Sequence, residues 1–99
     1  MIVFFYSPEC PHCKKFMPTW NKFKAKYDKV LDIRQVNGNT EPDIIKRFDV
    51  PGFPTVYVLN GKARYEYNPP KRTMASLEKF VRENYNPHMM DDLRKYYNA

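Results

Sequence analysis

The hydrophobic pattern of this chain changes period several times, and each change predicts an element. Met1 to Tyr6 is an almost unbroken apolar and aromatic run, the pattern of a strand buried on both faces. From Pro11 the spacing becomes helical. Phe16, Trp20, Phe23 and Tyr27 recur three or four residues apart and form the inner stripe of a helix over about Pro11 to Tyr27. Pro18 falls inside it and should kink it and free a carbonyl. Val30, Ile33 and Val36 alternate imperfectly with polar residues and predict a second strand over about 31–36. Asn37-Gly38-Asn39-Thr40 is a turn, with Asn39 or Thr40 as helix cap. Pro42 suits an early helical position, and Ile44, Ile45 and Phe48 supply the apolar face of a short helix to about Phe48.

Val50-Pro51-Gly52-Phe53-Pro54-Thr55 is a dense turn. Val56 to Leu59 reads as a strand, Asn60-Gly61 as a hairpin, and Lys62 to Tyr67 as the returning strand. Asn68-Pro69-Pro70 ends that strand. Thr73 then caps a helix whose Leu77, Phe80 and Val81 face inward. Asn86-Pro87 breaks it, and Met89, Leu93, Tyr96 and Tyr97 fall on one side of a last helix over 89–97. The predicted order is β-α-β-α-β-β-α plus a terminal helix, with parallel crossovers followed by an antiparallel hairpin.

Ninety-nine residues make one domain over 1–99, with its core in 1–85 and a helical extension in 86–99. The chain is 42% hydrophobic and 28% charged, a globular balance. Its net charge of +6 comes from 17 Lys and Arg against 11 Asp and Glu. Lys14, Lys15, Lys22, Lys24, Lys26 and Lys29 carry much of the excess. A solvated basic surface is the plain reading, a preference for acidic protein substrates the sharper one. No recognised nucleic-acid motif accompanies the charge, so no nucleic-acid partner is expected. The apolar start is too short for a signal peptide or a membrane span. No membrane association and a cytoplasmic location are the default expectations. Two cysteines exclude a framework of several disulfides.

Those two cysteines carry the candidate chemistry. Cys10 and Cys13 stand two residues apart where the first strand gives way to the helix. Backbone N–H groups at a helix start lack internal partners, and the aligned peptide dipoles leave positive charge there. A Cys10 thiolate is thereby stabilised below the ~8.5 of a free cysteine. Pro11 fits the first turn because it has no N–H to lose. His12, when protonated, adds a nearby positive charge. Cys13, one turn on, lies within bonding reach of Cys10. A metal site needs further ligands of this kind, and only His12 and the remote His88 are on offer, so no metal is expected.

Phe5-Tyr6-Ser7-Pro8-Glu9-Cys10-Pro11-His12-Cys13-Lys14-Lys15, then Pro18, then Gly52-Phe53-Pro54-Thr55, resembles the thioredoxin superfamily over about residues 1–85. The Cys-Pro-His-Cys tetrapeptide is similar to the active site of the periplasmic oxidant DsbA, and the flanks to thioredoxin and protein disulfide isomerase. The resemblance implies an α/β, minimal thioredoxin-like fold that lacks the family's first strand and helix and leaves an exposed edge near residue 33. It implies a cis peptide bond before Pro54, and substrate backbone held by Gly52, Phe53 and Pro54 in the manner of an added strand. Three positions depart from the family. Phe4 stands where a buried acid is usual, Gln35 where its lysine partner is, and Glu9 where a tryptophan precedes the first cysteine.

The expected function is protein thiol–disulfide exchange through Cys10 and Cys13, contributing to electron transport and redox homeostasis. No cofactor is expected. The expected partners are disulfide- or dithiol-containing proteins and a reductase, glutathione or oxidase. A monomer is expected, with 86–99 as an available dimer contact. Two other readings stand beside this one. One is a glutathione-dependent, glutaredoxin-like enzyme, although no Gly-Gly kink follows the Pro54 strand. The other is a non-catalytic binding module that keeps the fold.

Overall fold

The computed structural model describes residues 1–60 and 63–85, so Gly61, Lys62 and the predicted helix over 89–97 lie outside the described residues. Along the chain come β1 (Ile2–Tyr6), α1 (Pro11–Tyr27), β2 (Ile33–Asn37), α2 (Pro42–Arg47), β3 (Thr55–Asn60), β4 (Ala63–Glu66) and α3 (Met74–Asn84). The four strands form one sheet in the order β2-β1-β3-β4. This is the mixed α/β arrangement of a minimal thioredoxin fold.

β1 lies at the centre because its side chains serve both faces. Ile2 and Phe4 point toward α1 and α3, in a cluster with Phe16, Trp20, Phe23, Leu77 and Val81. Val3 and Phe5 point the other way, joining Val36 and Tyr57 under the partly buried Ile44, Ile45 and Phe48 of the α2 region. Alternation along a strand makes this division automatic. α1 runs through Pro18 without interruption, and Cys13, Phe16, Trp20 and Phe23 are its buried residues. Tyr27 packs at the rim of that stripe, and its hydroxyl bonds to Glu78 of α3, which also pairs with Lys26 at 3.0 Å. Phe80 of α3 is likewise half-buried, with its ring 5.3 Å from that of Tyr67.

Two expectations are corrected. Neither Asn39 nor Thr40 caps α2. Glu41 holds that position without a side-chain bond. Asn37 has taken over the turn: its Oδ1 accepts from Asn39 N, and its carbonyl accepts from Thr40 N, Glu41 N and Thr40 Oγ1. The second correction concerns topology. β1 and β2 are parallel, joined by α1, but β3 runs antiparallel to β1. α2 has six residues and spans about 9 Å, too little to carry the chain back to the far end of the sheet. The chain instead re-enters beside the C-terminal end of β1, where Thr55 pairs with Phe5. That reversal brings residues 52–54 next to the start of α1.

β2 pairs only with β1 among the described residues, so it is an edge strand. α2 ends in a Schellman-type arrangement in which Asp49 takes φ 50° and Val50 N donates to the Ile45 carbonyl. Arg64 of β4 braces this end, donating to the Phe48 carbonyl at 2.6 Å and lying 4.6 Å from the centre of the Tyr57 ring.

Candidate redox site

Cys10 is the N-cap of α1, with extended backbone angles. Its sulfur accepts from the Cys13 backbone N–H at 3.4 Å, one of the orphan donors of the first turn. Pro11 occupies the first turn of the helix, where a missing N–H costs nothing. Both cysteines are free thiols; Cys10 is partly exposed, and Cys13 is 1% exposed.

The two thiols are driven apart in acidity. Burial works to raise the Cys10 pKa, but hydrogen bonds from Cys13, the backbone N–H of His12 and the charge of Arg72 outweigh it and hold Cys10 below its ordinary value. Cys13 is pushed up to about 11, first by burial and then by the bond to Cys10 and its charge, against smaller opposing effects from the Ser7 backbone and Arg72. The His12 main chain is thus one of the groups that stabilise the Cys10 thiolate.

Opposite the cysteines, the Phe53–Pro54 bond is cis. The Cys10 thiol donates to the Phe53 carbonyl at 3.5 Å, which ties the two halves of the site across 43 residues of chain. Thr55 Oγ1 donates to the Gly52 carbonyl at 2.7 Å and fixes the turn before β3. The space outside Gly52 is open: a Cβ there would meet nothing within 4 Å. Gly38 is the reverse. The Phe53 ring lies on it so closely that a Cβ would come within 2.5 Å of the ring tip.

Gly38 and Arg72 are the site residues that sequence reasoning missed. Gly38 looked like an ordinary turn glycine, and nothing local marks it as the seat for a ring fifteen residues on. Arg72 sits in the loop before α3. Its signal was a basic Lys71-Arg72 pair between two prolines and the cap Thr73, in a loop that the fold turns toward the cysteines.

Glu9 and the family-departing pair Phe4 and Gln35 can now be placed. The Glu9 carboxylate accepts from Asn39 Nδ2 at 3.0 Å and from Ser7 Oγ at 3.4 Å, which holds its charge toward the β2–α2 turn. Phe4 is fully buried, edge-on to Phe16 with ring centres 5.3 Å apart and 4.9 Å from Trp20. Gln35 accepts from Trp20 Nε1 at 3.2 Å. The positions of the usual acid and lysine are thus part of the aromatic core and its polar tether. His12, Lys15, Phe16, Pro69, Pro70 and Arg72 line an open cleft of about 330 Å³. Among the described residues no three His, Cys, Asp or Glu side chains converge as a metal site would need.

A strand, a CxxC at the head of the following helix and a cis-proline bond against the first sulfur are shared features of one fold family. The thioredoxin family model matches residues 1–83, and the chain belongs to that family. Among curated relatives it is 31% identical to human protein disulfide-isomerase A4 over 90 residues, covering 88% of this chain and 14% of that protein. It is 34% identical to protein disulfide-isomerase 2-3 of Arabidopsis thaliana over 84 residues, covering 83% of this chain and 19% of that protein. The chain therefore spans less than one fifth of the length of these relatives. Among solved structures, the J-Trx1 fragment of ERdj5 superposes with TM-score 0.75 at 32% identity, covering 83% of this chain and 39% of that one. The first thioredoxin domain of mouse protein disulfide-isomerase A4 gives 0.70 at 29% identity, covering 87% and 63%.

Proposed function

We propose that this chain is a protein thiol–disulfide oxidoreductase in which Cys10 is the nucleophile and Cys13 the resolving thiol. The observation that carries the reading is a helix-capping thiol, Cys10, in contact with both the Cys13 backbone N–H and the Phe53 carbonyl, with the Cys13 thiol buried one turn on. In the reducing direction, the Cys10 thiolate attacks one sulfur of a substrate disulfide. A Cys10–substrate disulfide forms, and the other substrate sulfur leaves as thiolate. Cys10 then no longer bears the charge that held the Cys13 proton on, while the Arg72 charge still favours the Cys13 thiolate. Cys13 gives its proton to the departed thiolate, attacks the Cys10 sulfur, and releases the second substrate thiol. The enzyme is left oxidised and the substrate reduced by two electrons. Oxidation of a substrate dithiol runs the same steps backwards.

Gly52, Phe53 and Pro54 hold the extended substrate backbone beside Cys10, in the manner of β-strand addition. Pro11 and the His12 N–H shape the helix start that stabilises the thiolate. A stabilised thiolate favours the dithiol form and makes the couple more oxidising. With relatives named as disulfide isomerases, this supports oxidation or isomerisation of substrate proteins over their reduction. The test is equilibration of the full chain with glutathione buffers, followed by trapping and counting of free thiols. A potential of about −180 to −120 mV agrees with the reading, about −270 mV reverses the direction, and no exchange at Cys10–Cys13 overturns it.

A further inference from the structure

The cleft flanking Cys10 has features that disulfide exchange itself does not use. His12 and Lys15 come from the first turns of α1, and Arg72 from the loop before α3, so three basic side chains meet across it. Phe16, Pro69 and Pro70 give it apolar walls. Neither Lys15 nor Arg72 is in an ion pair with any described residue. Lys26, by contrast, pairs with Glu78, and Arg34 with Asp32. Glu9, next to Cys10 in the chain, is anchored toward the β2–α2 turn by Asn39 and Ser7. The rim of the thiol is therefore polarised, acidic toward the β2–α2 turn and basic toward α3.

We propose that this cleft receives an acidic side chain of the protein substrate, close in sequence to the cysteine that Cys10 attacks. The inference rests on the oxidoreductase reading above and names its substrate class. A carboxylate in the cleft meets the positive charges of Lys15 and Arg72, while the same group toward the β2–α2 turn meets Glu9. Charge complementarity of this kind selects partners and their orientation more than it adds raw affinity. The volume, about 330 Å³, admits one side chain with its adjoining backbone. Arg72 also acts on both thiols, so an acidic neighbour seated against it arrives where the substrate sulfur must react.

The test uses the full chain and three peptides alike except at one position beside a disulfide-bonded cysteine: Glu, Gln or Lys. Exchange rates are measured at low substrate, where they report kcat/KM. The Glu peptide is expected to react about fivefold faster than the Gln peptide, and the Lys peptide more slowly than both. The Glu-to-Gln ratio should fall toward one in Lys15→Glu and shrink in 0.5 M salt, where the Debye length falls to about 4 Å. Because it is a ratio, a general change in thiol reactivity in Arg72→Gln cancels from it. Equal rates for all three peptides overturn the proposal and leave the oxidoreductase reading intact. A ratio indifferent to Lys15→Glu shows that the acid is recognised elsewhere and overturns it as well. A Lys15→Glu effect confined to oxidised glutathione assigns the cleft to a small tripeptide disulfide and overturns the protein-substrate assignment. No exchange with any peptide overturns both readings, a result distinct from the others.

Discussion

At the scale of single residues, the site is a pair of identical side chains made unlike by position. Cys10 caps a helix at partial exposure and Cys13 is buried one turn in. Thiolate absorbance near 240 nm is expected to rise in two separate steps, Cys10 below the ordinary thiol range and Cys13 near 11. Alkylation at Cys10 should follow the first step, and its rate should fall as pH drops through the lowered Cys10 value. The stability sign is the same: a thiol with a depressed folded-state pKa stabilises the fold above its unfolded value and loses that contribution as pH falls through the folded one. Two thiols titrating together in the ordinary range would contradict this account. Cys10→Ser should abolish exchange, and Cys13→Ser should accumulate the mixed disulfide on non-reducing gels. Gly38→Ala tests the platform under Phe53. A Cβ there must push the ring away, so substrate KM is expected to rise several-fold with little change in melting temperature. Gly38→Ala/Phe53→Ala should remove the clash and return the behaviour of Phe53→Ala alone.

At the scale of elements, α3 depends on its start. Thr73 and Ser76 form a reciprocal capping box, with Ser76 N donating to Thr73 Oγ1 at 3.1 Å and Thr73 N to Ser76 Oγ at 3.0 Å. Thr73→Ala should cost about 1 kcal/mol, read as a fall of roughly 4–8 °C in Tm for a domain this size. An unchanged Tm would mean that packing of Leu77 and Val81 holds the helix without its cap. The cap was legible from the sequence because Thr73 follows a proline-ended strand and precedes an apolar periodicity. The cap of α2 was not. Asn37, Asn39 and Thr40 all favour capping, and only the closed turn shows Asn37 satisfying the donors that the others were expected to take.

At the scale of the molecule, the sheet separates two apolar layers, and β1 supplies the centre of both. Phe4 shows what that costs to disturb. It is fully buried against Phe16, Trp20 and Tyr6, so Phe4→Ala should lose about 3–5 kcal/mol in denaturant unfolding. Phe4→Asp, which restores the acid usual in the family, should unfold the chain before it speeds the chemistry, since Gln35 already serves Trp20 and offers no charge. A folded, faster Phe4→Asp variant would show that the core can accommodate the acid.

The sequence alone determined the order and type of the described elements from β1 to α3, the helix-start placement of Cys10 and the family, because period, proline position and CxxC spacing are local signals. It also showed which family positions were exchanged. Only the tertiary structure decided the direction of β3, which depends on α2 being too short to return the chain across the sheet. It alone brought Phe53 onto Gly38 and to Cys10, and Arg72 toward the thiols. These are meetings between residues fifteen to sixty-two positions apart, set by how strands pair and helices pack, and no periodicity within a single segment encodes them.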